Sequence, residues 1–375
     1  MPKAHITLVG GQPVPVYIGI EDDSQAQDVV LVCSRDSYVE AKRIKDNLPA
    51  RNINIEQCSP VSLHEIEALA ARLRAQYADY ELTLNLTSGT KLWTLSFFRI
   101  FVDAPAVRFI YVDQNNAITD IVSKTSHTAQ IDTLKRIALY GTPLKSYRSL
   151  DDYTHADFQA IADIEELRQA NTPEFRLLTS KEPSEALAKQ VNLYRETKNG
   201  SFLEWSPDKQ AATMFIEHWK TGAPIKRIIA CDHLEDILYN FAWFELKTAC
   251  KLRENPHIRN IWLNCTFEYQ QGNPKNEIDI IAELGSRLLF VECKTMIHDT
   301  TDIDKFRSAL RNFSGTSTMG LFVTNDLPYN RMKEGYQRAM EKCRDNNILF
   351  FNFAKTKGPT LPDLLETRIS SQNKR

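Results

Sequence analysis

Apolar and polar positions alternate in two rhythms along this chain. In the first third, short apolar runs such as "HITLVG" (5–10), "DVVLVCS" (28–34), "ELTLN" (81–85), "AVRFIYV" (106–112) and "AITDIVS" (117–123) read as strands. Between them lie amphipathic stretches, among them 38–48, 62–78 and 92–102, and in the second of these Leu63, Ile66, Leu69, Ala70 and Leu73 recur at helical spacing. Strands alternating with helices predict a mostly parallel, doubly wound α/β sheet over residues 1–125. Residues 126–200 are mixed and polar and read as a helical linker. Residues 201–375 form a second domain, with helices expected at 207–222, 234–254, 302–312 and 329–345 and strands at 260–270, 276–284, 287–295, 320–326 and 348–354.

Composition narrows the class. With 375 residues and 42% hydrophobic content the chain can bury two cores. It holds 46 basic and 48 acidic side chains, a net charge of −2 that argues for no partner by itself. Seven widely spaced cysteines without a CxxC pair exclude a disulfide frame and a zinc knuckle. No apolar run of membrane length and no signal-peptide layout is present, so a cytoplasmic protein is expected.

In a doubly wound fold, ligands bind beyond the carboxyl ends of the strands. There the sequence places Gly11 and Gln12 after the first strand, Ser34, Arg35 and Asp36 after the second, and Thr87, Ser88, Gly89, Thr90 and Lys91 where a strand turns into a helix. Hydroxyls, backbone N–H groups and an ammonium at a helix start suit an anion. Neither GxGxxG nor GxxxxGK[ST] occurs, so a phosphate-bearing ligand other than a dinucleotide or P-loop triphosphate is expected.

In "NEIDIIAELGSRLLFVECKT" (276–295), Glu277, Asp279, Glu292 and Lys294 stand among apolar residues. Alternation puts Glu292 and Lys294 on one strand face, and a tight turn at 284–287 brings Asp279 beside Glu292. Adjacent carboxylates repel unless a cation joins them, which points to Mg²⁺ or Mn²⁺. The competing reading is an internal salt-bridge network with Lys294 between Glu277 and Glu292; Glu277, at the strand start, can also face solvent. Glu245 lies in a helix apolar nearly all round, where an unpaired carboxylate is unfavourable.

Other signals are weaker. Cys231 and His233 lack a second pair at zinc spacing, so capping of the next helix by Asp232 is expected instead. His298 and the pair Arg307 and Arg311 could contact substrate or simply face solvent.

The "NLTSGTK" turn resembles that of the CRISPR-associated Rossmann-fold (CARF) sensor domain, departing once, at Ser88, where that pattern has Gly. Asp279, Glu292, x, Lys294 resembles the PD-(D/E)xK nuclease motif, with Ile278 where its proline would stand. Together the halves look like the CARF–nuclease effectors of type III CRISPR systems. That resemblance implies a Rossmann-like CARF domain joined to a restriction-endonuclease-like α/β domain with a mixed sheet. It further implies a homodimer that binds a cyclic oligoadenylate, cyclic tetra-adenylate foremost, and then cleaves single-stranded DNA or RNA. Glu245, Asp279 and Glu292 would hold Mn²⁺ or Mg²⁺, with Lys294 completing the catalytic set. The rivals are a constitutive restriction or repair endonuclease and a nucleotide-sensing protein that binds without cutting.

Overall fold

The continuous apolar runs of the first third form the strands expected of them, buried on both faces because helices cover both sides. In the computed structural model, which describes residues 1–141, 143–179, 193–206, 210–219, 222–239, 242–268, 277–285, 287–312, 318–326, 334–355 and 357–372, the chain begins β1 (Lys3–Val9), α1 (Pro13–Asp22), β2 (Asp28–Cys33), α2 (Tyr38–Asp46) and β3 (Asn52–Gln57). It continues with α3 (Leu63–Gln76), β4 (Glu81–Asn85), α4 (Lys91–Phe101), β5 (Val107–Val112), β6 (Ala117–Asp120) and β7 (Ser126–Thr128). The seven strands form one sheet in the order β3-β2-β1-β4-β5-β6-β7. The first five are parallel, while β6 and β7 add an antiparallel edge. The order reverses between β1 and β4, so the loops after these two strands flank the crevice where such folds take ligands.

The stretch read as a helical linker contains α5 (Thr133–Leu139), α6 (His155–Ala170) and α7 (Thr172–Thr179), and it also supplies strands. β7 completes the first sheet, and β8 (Leu144–Ser149) joins the edge of a later one. The helix expected at 207–222 is corrected. Residues 207–209, 220 and 221 lie outside the described set, and Ala211–Ile216 is a strand, β11, of an antiparallel meander with β9 (Leu193–Glu196), β10 (Phe202–Ser206) and β12 (Ile225–Ala230). Burial explains the misreading: Ala212, Met214 and Ile216 point inward with period two, which the helix-favouring composition of this segment masked.

Of the helix expected at 234–254, residues 240 and 241 lie outside the described set, and the described parts are helical: α8 (Leu234–Tyr239) and α9 (Ala242–Arg253). Then come β13 (Ile258–Phe267), β14 (Ile278–Leu284), β15 (Arg287–Lys294), α10 (Thr301–Asn312), β16 (Thr318–Thr324), α11 (Glu334–Asp345), β17 (Leu349–Asn352) and α12 (Leu361–Gln372). These strands form a mixed sheet ordered β17-β16-β15-β14-β13-β8. α9 covers one face through Trp243, Phe244, Leu246 and Leu252, in a shared apolar core with Leu263, Ile280, Leu289 and Val291. A second apolar core joins the two large sheets: Ile137 and Leu139 of α5 pack in one cluster with Val112 of β5 and with Trp262, Ile281 and Phe290. Among the described residues no helix is long and apolar enough to cross a membrane.

Candidate functional site

At the crevice of the first sheet, local hydrogen bonding shapes the turn after β4. Buried Asn85 accepts from the Thr87 N–H at 3.0 Å and from the Thr87 hydroxyl at 2.6 Å, bending the chain out of the strand. The Thr87 oxygen in turn accepts from Val112 N–H on β5 at 2.7 Å. Gly89 has φ +85°, and a Cβ there would lie 2.7 Å from Cε3 of Trp93. Thr90 caps α4, its hydroxyl accepting from Trp93 N–H at 3.2 Å. A Cβ on Gly10 would lie 3.0 Å from the Gly89 nitrogen, so the loops after β1 and β4 touch. Ser88 Oγ donates to the Gln12 carbonyl at 3.5 Å across the same contact.

Beside this turn lies a cavity of about 720 Å³. Of the residues proposed from the sequence to bind a ligand, Thr87, Gly89 and Lys91 line it, whereas Gly11, Gln12, Ser34, Arg35, Asp36, Ser88 and Thr90 do not. Ser34 is buried and bonded to Ser37, whose hydroxyl donates to the Val9 carbonyl at 2.8 Å, so this loop ties β1 to α2. Arg35 and Asp36 are exposed. The rest of the lining escaped the sequence reading: Thr94 and Leu95 on α4, Tyr111 on β5, and Thr119, Asp120, Ile121 and Lys124 from the β6–β7 hairpin. A hairpin appended after the last parallel strand leaves no local sequence signal of which pocket it will border. Lys91 and Lys124 bring positive charge to the wall, beside the N-terminus of α4.

In the second domain the tight turn at Gly285, φ +61°, pairs β14 with β15 as expected, with Ile281 opposite Phe290. Their pairing ends at Ile280 and Val291, and the next backbone donor, Cys293 N–H, gives its hydrogen bond to Asp279 Oδ2 at 2.6 Å. Asp279 is thereby fixed at the opening between the strands. Lys294 Nζ lies 2.6 Å from Glu292 Oε1 and 3.9 Å from Asp279 Oδ2. Glu277 is exposed, so the competing network with Lys294 between Glu277 and Glu292 does not form as written: Lys294 lies between Asp279 and Glu292 instead.

Glu245, on α9, is near enough for the charges of this cluster to act on it, and its Oε2 is buried with no hydrogen-bond partner among the described residues. An unpaired buried oxygen costs about 1–3 kcal/mol, more if charged. Burial, then repulsion from Asp279 and Glu277, raises the Glu245 carboxyl well above its ordinary value. Burial also raises Asp279, against the pull of Lys294 and the Cys293 N–H. Glu292 is pushed up to about 7 by burial and by Asp279. For Lys294, burial disfavours the ammonium, but Asp279 and Glu292 outweigh it and raise its value. Asp302, in the first turn of α10, the helix expected at 302–312, adds a negative charge that acts on Asp279, Glu292 and Lys294, a bearing on this cluster that the sequence reading missed.

Three crowded carboxylates against one ammonium, one of them with an orphaned oxygen, fit a hard divalent cation in donor type and charge. Among the described residues, however, no three His, Cys, Asp or Glu side chains stand where they could hold a metal ion together, and Glu292 is paired with Lys294.

The weaker candidates resolve simply. His233 Nδ1 lies 2.9 Å from Asp157 Oδ2, and Asp157 also caps α6, so the Cys231–His233 segment anchors a helix start. Arg307 bonds Asn346, and His298 is exposed.

Residues 4–140 match the Card1 CARF domain family. No curated protein matches the sequence. Among solved structures, the chain is similar over 98% of its length to Can2 from Sulfobacillus thermosulfidooxidans in complex with cyclic tetra-adenylate, with 98% of that chain covered, a TM-score of 0.66 and 16% identity. It is similar over 99% of its length to protein VC1899 from Vibrio cholerae, with 98% of that chain covered, a TM-score of 0.70 and 15% identity. The fold is mixed α/β, with a Rossmann-like CARF domain at its N-terminal side, as the sequence led one to expect.

Proposed function

We propose that the protein is a cyclic-oligoadenylate-activated, metal-dependent nuclease of type III CRISPR defence that cleaves single-stranded DNA, RNA or both, and can nick duplex DNA. The observation that carries this reading is the meeting of Asp279, Glu292 and Lys294 at the opening between β14 and β15, with Glu245, one of whose carboxylate oxygens is buried and unpartnered, near enough to feel their charges. The match of residues 4–140 to the Card1 CARF domain family, and the likeness in fold to a cyclic tetra-adenylate complex, support the activator. In this reading Thr87, Gly89, Lys91 and Lys124 face the ring's phosphates, and two copies of the chain present the same cavity across a two-fold axis, which a symmetric ring matches. The ring activates by binding the active arrangement more tightly than the resting one.

Glu245, Asp279 and Glu292, drawn closer together than they stand here, would hold Mn²⁺ or Mg²⁺, which would supply neutralisation of charge on the phosphoryl oxygens and assistance to the leaving oxygen. Lys294, raised by its two carboxylate neighbours, remains an ammonium at neutral pH. It therefore works as a hydrogen-bond donor that orients the attacking water and stabilises negative charge in the transition state.

A second reading is favoured by the 2.6 Å pairing of Lys294 with Glu292: a sensor whose second domain binds nucleic acid or a partner without cutting. One assay separates them. The full chain is incubated with single-stranded DNA or RNA and Mn²⁺, with and without cyclic tetra-adenylate, alongside Glu292→Ala and Lys294→Ala. Cleavage that needs the ring and vanishes in both variants, with ring binding kept, supports the nuclease. Cleavage without the ring indicates a constitutive endonuclease, and no cleavage under any condition leaves the binding protein.

A further inference from the structure

α6 grips the carboxylate–lysine cluster from behind at three points. Arg168 is only 8% exposed. Its guanidinium lies over the ring of Trp243, 5.6 Å from the centroid, and its Nη2 donates to the Thr295 carbonyl at 3.4 Å. One helical turn earlier, Glu165 meets Lys247 Nζ at 2.5 Å. Trp243 and Lys247 stand two residues to either side of Glu245 on α9, and Thr295 directly follows Lys294 on β15. The same helix is tied at its back to β12, where Arg227 reaches Glu166 at 2.5 Å, and at its start by His233 on Asp157 at 2.9 Å.

We propose that Arg168, with Glu165 beside it, is a positioning residue for the nuclease cluster: it fixes α9 on both sides of Glu245 and the end of β15 just past Lys294, and so sets the distance between the two halves of the site. The proposal rests on the nuclease reading for its kinetic consequence but not for its structural one. A planar guanidinium stacks on the indole and keeps an N–H directed at the carbonyl at the same time. A lysine ammonium offers no such plane, so Arg168→Lys retains charge and keeps only one of the two contacts at a time, a weakened clamp. The helix that carries Arg168 follows β8 after a short 3-10 turn at Leu150–Asp152 and leads back to the sensor domain through α5, which places the clamp where a change in the sensor can reach both halves.

The test uses the full chain as wild type, Arg168→Met, Arg168→Lys, Glu165→Lys, Lys247→Glu and the double swap. Amide hydrogen exchange is read over residues 242–249 and 291–296, and kcat and KM are measured with cyclic tetra-adenylate, Mn²⁺ and single-stranded DNA. In Arg168→Met, exchange in both segments rises about tenfold while the first sheet is unchanged. kcat falls about ten- to hundredfold with KM within about twofold and the melting shift given by the ring intact. Arg168→Lys falls between wild type and Arg168→Met, and the double swap regains what each single swap loses. Unchanged exchange in the two segments, or equal loss of protection throughout the molecule, overturns the proposal. A wild type that cuts nothing sinks the nuclease reading alone, since exchange still decides the clamp. Should Arg168→Met fail to fold, Arg168→Lys and the swap carry the decision.

Discussion

Glu292 shows how burial and a like-charged neighbour make a catalytic-looking carboxylate a liability for the fold. Its value is raised from 4.5 to about 7, so the protonated form is the one the folded state favours. A raised acid contributes stability below its unfolded value and loses it as pH climbs through its folded value, here between about 4.5 and 7. In chelator, the wild type should therefore lose stability relative to Glu292→Gln over that window, read as the difference in urea midpoints across pH. Mn²⁺ should reverse the trend by holding the carboxylate charged, and a difference flat across pH would contradict the assignment. At Gly89 the strain is steric: φ +85° and the 2.7 Å approach to Trp93 leave no place for a methyl group. Gly89→Ala should cost at least about 1–2 kcal/mol in chemical denaturation and weaken the melting shift from cyclic tetra-adenylate. These residues were legible because charge in an apolar strand and glycine in a strand-to-helix turn are rare events with few causes. Arg168 was not legible, since a basic residue on an amphipathic helix is ordinary until the fold shows Trp243 and Thr295 against it.

Elements with strong periodicity were the readable ones. The parallel strands of the first sheet and the β14–β15 hairpin were evident from continuous apolar runs broken by tight turns. The meander was not: "AATMFI" carries Ala and Met, good helix formers, and its period-two burial emerges only against β10 and β12. The strand assignment makes a sharp claim about two adjacent positions. Met214, fully buried, should cost about 2–5 kcal/mol on truncation to Ala, whereas its neighbour Thr213, turned to the other face, should cost less than about 0.5 kcal/mol. Urea titration of the two variants checks it, and comparable losses at both would count against the alternation.

At the scale of the whole molecule, the two large sheets do not sit in separate cores. Ile137 and Leu139 of α5 share one apolar cluster with Ile281 and Phe290, and Arg136, 1% exposed, carries its charge toward Glu283 of β14. Joint burial of this kind couples the unfolding of the parts it joins. Thermal unfolding followed by the fluorescence of Trp93, on α4, and of Trp262, on β13, in otherwise Trp-to-Phe backgrounds should give one coincident transition; two resolved transitions would show the sheets to be independent. No pattern in the sequence announced this sharing, because periodicity reports which face of an element is apolar and not which partner covers it.

β8 carries one more implication. The backbone leaving the first domain is woven into the rim of the second sheet through Trp262 with Ser149 and Leu263 with Arg148. A protease or a designed truncation that cuts after Leu144 would strip that rim and leave β13 as a bare, sticky border open to other chains. A cut ahead of Leu144 would keep the border hemmed, so stable fragments of the C-terminal half should begin there, earlier than the shift in composition near residue 200 invites one to cut.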